Sequence, residues 1–299
     1  MSICILNKEN SKSKSCLPET FIKELQKDVL QTEHNSADKI VKELAKKTNC
    51  TNISNIQDTE MCILNKLNKQ TQDKDKRDDI TEAIITYFKP ITKSYDKNHW
   101  LNNSEIDQIQ HQFKSLFPGY YYSNIHMIDL VMFNPEYSDV INYDIKCIKD
   151  INFIDECKKE NNILTYNGDM KNFGIVFNTD VSSGGGIHWF SIFIDFSSDS
   201  TDKTYNIEYF NSSGYDIRNK AFKQYFVNFA DEITREVKKC IFVKVTDIQH
   251  QRSDTANCGS YALFYIWKRL NGTPYSYFSE NKIKDEHMEE FRKFLYRLH

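Results

Sequence analysis

Through residues 1–86 apolar side chains recur at helical spacing and strand-like alternation is missing. Phe21, Ile22, Leu25 and Val29 follow Pro18, a residue suited to the first turn of a helix, and predict one short helix. Ile40, Val41 and Leu44 follow Ser36, a candidate cap, and predict another. Residues 70–80 mix charges of both signs and read as a solvated linker. Near residue 87 the pattern changes. A boundary is therefore expected close to Pro90, dividing a helical arm, 1–86, from a core, 87–299. In the core, Ile106, Ile109, Phe113 and Leu116 mark one face of a helix that Trp100 to Asn103 introduce and Pro118-Gly119 end. Strands are predicted at 173–177, 187–195 and 205–210, the second apolar on both faces and therefore central. Phe222, Phe226, Phe229, Ile233 and Val237 form the stripe of a long helix. A strand at 241–245 and helices at 258–270 and around Met288 to Leu295 complete a mixed α and β pattern.

Composition sharpens the division. Of 20 Phe, 17 Tyr and 3 Trp, only Phe21 falls in residues 1–86, and the first of nine glycines is Gly119. Lys plus Arg number 39 against 42 Asp plus Glu, a net charge of -3, which argues against a protein built to grip nucleic acid. No apolar run is long enough for a membrane span. The start, MSICILNKEN, lacks the apolar stretch of a secretory signal. The eight cysteines contain no Cys-x-x-Cys pair, so no metal site is expected. Without a secretory signal they are expected as reduced thiols.

One of those cysteines stands apart. A polar loop ends at Asn257-Cys258-Gly259 and an apolar helical run follows at once. A thiol there faces oriented N–H groups and the positive end of a helix, which favour the thiolate, and Gly259 allows close approach to the sulfur. A nucleophilic sulfur needs a base. His188 opens the central strand directly after Gly184-Gly185-Gly186, and His250, beside Gln249 and Gln251, is its rival. The base needs an orienting group on the neighbouring strand, for which Asn211 and Glu208 are the candidates. They have opposite strand parity, so only one can face the imidazole. Gln251, or less favourably Gln249, can supply an amide N–H to an oxyanion together with the backbone N–H of Cys258.

Taken in order, WLNNSEIDQIQ at 100–110, GGGIHWFSIFID at 184–195, IEYFNSSG at 207–214 and HQRSDTANCGSYALFYI at 250–266 resemble the ubiquitin-like-protease superfamily of cysteine proteases. That superfamily includes the SUMO proteases and the adenovirus maturation protease. Asn at 211 and HQRS before the cysteine resemble its polyprotein-processing members in large cytoplasmic DNA viruses, those of African swine fever virus and mimivirus among them. The N-terminal CLPETFIKEL, LAKKTNC and MCILNK are similar to the helical arm of these enzymes. The resemblance implies an α+β, adenain-like core, a central mixed sheet flanked by helices, with a helical N-terminal arm. It implies His188 as general base, Asn211 as orienting residue, Cys258 as nucleophile and Gln251 as oxyanion donor. Substrate would be held by Trp189, the wall of a narrow channel for glycines, and by Asn257 and Gly259. The hairpin from Ser197 to Lys203 is longer than usual, which keeps Glu208 open as the third member. The implied activity is cleavage of viral structural polyproteins after Gly-Gly sites, in the virion and the host cytoplasm. No cofactor is implied, and nothing in the sequence requires nucleic acid, with activation by DNA or a peptide left open. A SUMO- or ubiquitin-like deconjugating protease is the alternative.

Overall fold

We analysed the protein as a computed structural model that describes residues 4, 15–30, 34, 36–51, 53, 55–129, 171–196, 204–236 and 239–298. Cys147, Cys157, Val237 and the 197–203 hairpin lie outside the described residues. The chain divides into two compact units, Met1–Thr92 with Leu295–His299, and Lys93–Phe294. The division thus falls at 92/93 rather than 86/87, and the last residues belong with the first unit.

The first unit carries α1 (Glu19–Val29), α2 (Ala37–Lys47), α3 (Ile56–Gln70) and α4 (Lys74–Tyr87), with β1 (Ile91–Thr92) paired in parallel to β8 (Arg297–Leu298). The periodic positions Ile22, Leu25, Ile40, Val41 and Leu44 meet Met61, Leu64 and Leu67 of α3 in one aliphatic core. The predicted linker at 70–80 is corrected. Only 71–73 leave the helical path, and the charge run is the solvated face of α4, whose Ile80 and Ala83 are buried. Asp73 caps that helix by accepting from the N–H groups of Asp75 and Lys76. The expectation of reduced thiols is corrected here too. Cys4–Cys16 and Cys50–Cys62 form disulfides, with Cα atoms 5.1 and 6.0 Å apart. The fold brings each pair within bridging range, a fact that spacing alone does not reveal.

The second unit is α+β. Its strands are β2 (Tyr120–Tyr122), β3 (His126–Met127), β4 (Asn172–Asn178), β5 (Trp189–Asp195), β6 (Tyr205–Phe210) and β7 (Cys240–Lys244). The sheet order is β2-β4-β5-β6-β7, with β3 also on β4. The β4–β5 and β5–β6 pairs are antiparallel, and β2–β4 and β6–β7 are parallel. The doubly apolar strand is therefore central, as its pattern predicts. Its alternate side chains serve two layers. Phe190, Ile192 and Ile194 pack with Phe222, Phe226 and Ile233 of α6 (Lys220–Glu236). Trp189, Ser191 and Phe193 take the opposite parity, toward α7 (Cys258–Leu270), which packs against β5. Helix α5 (Asn103–Leu116) packs on α7 and starts at a capping box between Asn102 and Glu105. Two further helices follow, α8 (Ser276–Glu280) and α9 (Asp285–Leu295). Among the described residues no helix is long and apolar enough to cross a membrane.

Candidate active site

Two chain reversals build the site: the Gly-rich loop between β4 and β5, and the polar loop that enters α7. Asn178, at the end of β4, accepts from the N–H groups of Asp180 and Ile187, both at 2.9 Å, and so ties the base of the Gly-rich loop. Asp180 accepts from Gly186 N–H at 3.0 Å. Asp129 accepts from Ser182 through both its N–H and its hydroxyl, at 2.9 Å each. The chain closes with Gly186 at φ 89°, the left-handed region that favours glycine. His188 emerges from this anchored loop.

His188 Nε2 lies 2.8 Å from Asn211 Oδ1. The same oxygen accepts from the backbone N–H of Ser213 at 2.9 Å and from its hydroxyl at 2.7 Å. A backbone N–H can only donate, so this atom is the amide oxygen. His188 Nε2 therefore carries a proton and donates, and in the neutral ring Nδ1 carries the lone pair. The Asn211 amide is fixed from the other side as well. Its Nδ2 donates to Tyr209 Oη at 2.8 Å, and that hydroxyl donates to the Tyr215 carbonyl at 3.2 Å. Glu208, the alternative, is excluded: it is fully buried and accepts from Tyr265 at 2.6 Å and Arg269 at 2.7 Å.

Cys258 stands at the first position of α7 and is 2% exposed. Burial pushes its thiol above the ordinary value, against the backbone N–H groups of Trp189 and Gly259 and the Arg292 charge, which pull it down. Desolvation thus opposes the preference of the helix terminus for a thiolate. His188 shifts the opposite way, lowered by burial and held up in part by its bond to Asn211. Both shifts favour a neutral thiol and a neutral imidazole. The bond from the Trp189 N–H sets the sulfur against the start of β5, one residue from His188.

Gln251 is locked: its Oε1 accepts from Ser212 at 2.9 Å and its Nε2 donates to the Thr255 carbonyl at 2.7 Å, leaving one amide hydrogen for another acceptor. Gln249 is exposed. Trp189 Nε1 donates to the Leu101 carbonyl at 3.0 Å. A Cβ on Gly259 would lie 3.2 Å from the Trp189 ring, so the glycine lets the indole lie on the start of α7. Asn257 is corrected as a substrate contact. Its side chain is fully buried and donates to Asp285 at 2.9 Å, so it shapes the loop from within. The rival base His250 is 1% exposed, and its Nδ1 accepts from the Ile283 N–H at 3.1 Å. Sequence reasoning gave no role to Trp100. It is 42% exposed, a high value for Trp, and joins Met127, Gly184, Gly185, Gly186 and Trp189 in lining a groove of about 520 Å³. An aromatic before a polar helix cap was the available signal.

A buried thiol at a helix start, an imidazole whose Nε2 proton is held by an amide oxygen so that Nδ1 is left as the base, and a locked glutamine define the site of a cysteine protease. Residues 128–299 match the Ulp1 protease family, C-terminal catalytic domain, and the chain belongs to that family. Among relatives, a SUMO-1 cysteine protease of African swine fever virus is 27% identical over 245 residues, 81% of this chain and 83% of its own. A thiol protease of Acanthamoeba polyphaga mimivirus is 24% identical over 200 residues, 66% of this chain and 57% of its own. The crystal structure of the African swine fever virus protease matches with a TM-score of 0.64 at 25% identity, spanning 100% of this chain and 96% of that one.

Proposed function

We propose that the protein is a viral cysteine endopeptidase that processes structural polyproteins during virion maturation, cutting after Gly-Gly. The observation that carries the reading is the fixed His188 tautomer. With Nε2–H held by Asn211, Nδ1 is the free base that takes the Cys258 proton as the sulfur attacks a peptide carbonyl. Burial pushes the thiol up and the imidazole down, which favours a neutral resting pair with proton transfer accompanying attack. The oxyanion takes the Cys258 N–H and the remaining Gln251 amide hydrogen. His188 then protonates the departing amine, and a thioester forms. Water, activated by the same Nδ1, releases the acid.

Specificity follows from the groove. An indole at Trp189, a second at Trp100 and three consecutive glycines line it, a flat and largely side-chain-free wall that suits two glycines before the cut. The site of action we assign is the host cytoplasm and the assembling virion, in keeping with the viral relatives. The test offers the purified protein a capsid polyprotein containing Gly-Gly-X sites, its Ala-Ala-X variant, and a SUMO-type fusion ending in Gly-Gly. Cleavage of the first and not the second supports the reading. Cleavage of the fusion alone makes the enzyme a deconjugating protease.

A further inference from the structure

Helix α9 carries two buried charged residues that the proton path does not use. Asp285, 3% exposed, stands in its first turn, and Arg292, fully buried, stands two turns later, so both lie on one face. Both grip the segment around the nucleophile. Asp285 Oδ2 accepts from the Arg252 N–H at 2.9 Å, and its Oδ1 accepts from Thr255 Oγ1 at 2.8 Å and Asn257 Nδ2 at 2.9 Å. Arg292 Nη2 donates to the Ala256 carbonyl at 3.0 Å and Nε to Ser260 Oγ at 2.7 Å. Those partners lie two residues before and two residues after Cys258. The third arm, Nη1, donates to the Asp96 carbonyl at 2.8 Å.

We propose that Asp285 and Arg292 form a clamp that holds residues 252–260 so that the N–H groups opening α7 face the sulfur, and that the Arg292 charge stabilises the thiolate formed during attack. Both are positioning residues; neither touches substrate. The inference deepens the protease reading and rests on it. Three observations support it. The guanidinium donates in three directions to oxygens on both sides of the nucleophile's segment, which fixes its place. It sits where burial disfavours the thiolate, so a fixed positive charge counts for more than it would in water. And it opposes the upward push that burial gives the thiol. The other charged or titratable groups on elements packed against α7 include His188 at the start of β5, Glu105, paired with His99, and Asp107, His111 and Lys114 on α5, and Asp195, which with Glu208 is engaged with Arg269.

The test uses the full chain with Arg292→Met, Arg292→Gln or Arg292→Lys. Alkylation of Cys258 by iodoacetamide is followed from about pH 6 to 11 by mass spectrometry of the Cys258 peptide, and kcat and KM are measured on a Gly-Gly-X peptide. The two uncharged variants are expected to raise the alkylation midpoint by about one pH unit, a tenfold smaller thiolate fraction below the midpoint. Their kcat falls at least about tenfold, with KM little changed. Arg292→Lys keeps the midpoint, because it keeps the charge, yet loses kcat, because one ammonium cannot reproduce the three-way grip. A folded uncharged variant with the wild-type midpoint overturns the proposal. If neither uncharged variant folds, wild-type kcat in Arg292→Lys overturns it. Wild-type protein that alkylates as described but cleaves no peptide sinks the protease reading instead.

Discussion

His188 serves as a base only while its Nδ1 is unprotonated, and two neighbours act on that in opposite directions. Burial lowers its pKa and the Asn211 amide raises it. The acid limb of kcat/KM is therefore expected below the ordinary imidazole value of about 6.5. Asn211→Ala removes the upward contribution, so the limb moves further down while kcat falls with the lost tautomer control. Asn211→Asp adds a negative charge beside the ring and moves the limb up. A pH–rate profile of the three proteins checks the order, and a limb that rises in Asn211→Ala contradicts it. His250 gives a stability counterpart. Burial among Phe210, Tyr261 and Phe278 pushes it down to about 4. Its folded pKa lies below its unfolded one, so its contribution is complete above about pH 6.5 and is lost as pH falls toward 4. The loss amounts to at most about 3 kcal/mol. His250→Asn keeps an acceptor for the Ile283 N–H and should flatten the decline. Urea melts between pH 4 and 7 measure both slopes.

At the scale of elements, the Gly-rich loop is a rigid wall, because Asn178, Asp180 and Asp129 hold its backbone. Gly186→Ala forces a side chain into a left-handed backbone, at a cost of about 1–2 kcal/mol. It should lower the melting temperature and cut kcat/KM at least about tenfold. Gly185→Ala adds a methyl group where nothing lies within 4 Å, so stability should hold. Equal melts for both variants would refute the assignment. The contrast also shows what the chain made legible. Strong periodicity marked β5, α6 and α7, because each buries a whole face in the core unit. The Gly loop, His188, Asn211 and Cys258 were legible because each sits at an element's end, where a polar residue has a task. The arm was half read: α3 mixes Asn, Lys and Cys with its apolar positions, and the charges of α4 drowned the short stripe of Ile80 and Ala83. Arg292 was invisible, since a helix bearing Arg and Glu looks solvated until its partners, far away in sequence, are known.

At the scale of the molecule, one chain combines a bridged unit with a thiol-bearing one. The Met1–Thr92 unit draws its core from aliphatic side chains, with few aromatic rings and short helices, and small cores of that kind are marginal. Each bridge joins cysteines 12 positions apart, and closing a loop of that size in the unfolded chain stabilises the fold by about 3 kcal/mol. Among the described residues the free cysteines, Cys240 and Cys258, both lie in the other unit. Burial pushes the Cys240 thiol up to about 12, which leaves it unreactive at neutral pH. The Cys258 thiol is also raised by burial, but the N–H groups of Trp189 and Gly259 and the Arg292 charge work against that push, so of the two free thiols Cys258 should be the one that iodoacetamide labels, with a rate that climbs as pH rises. The pair of substitutions Cys50→Ser with Cys62→Ser should loosen α3 by about 3 kcal/mol, read as faster amide exchange across Ile56–Gln70. It should leave exchange in β4, β5 and β6 unchanged, because those strands draw on a separate core. Unchanged exchange in α3 would mean that packing, not the bridge, holds the arm together.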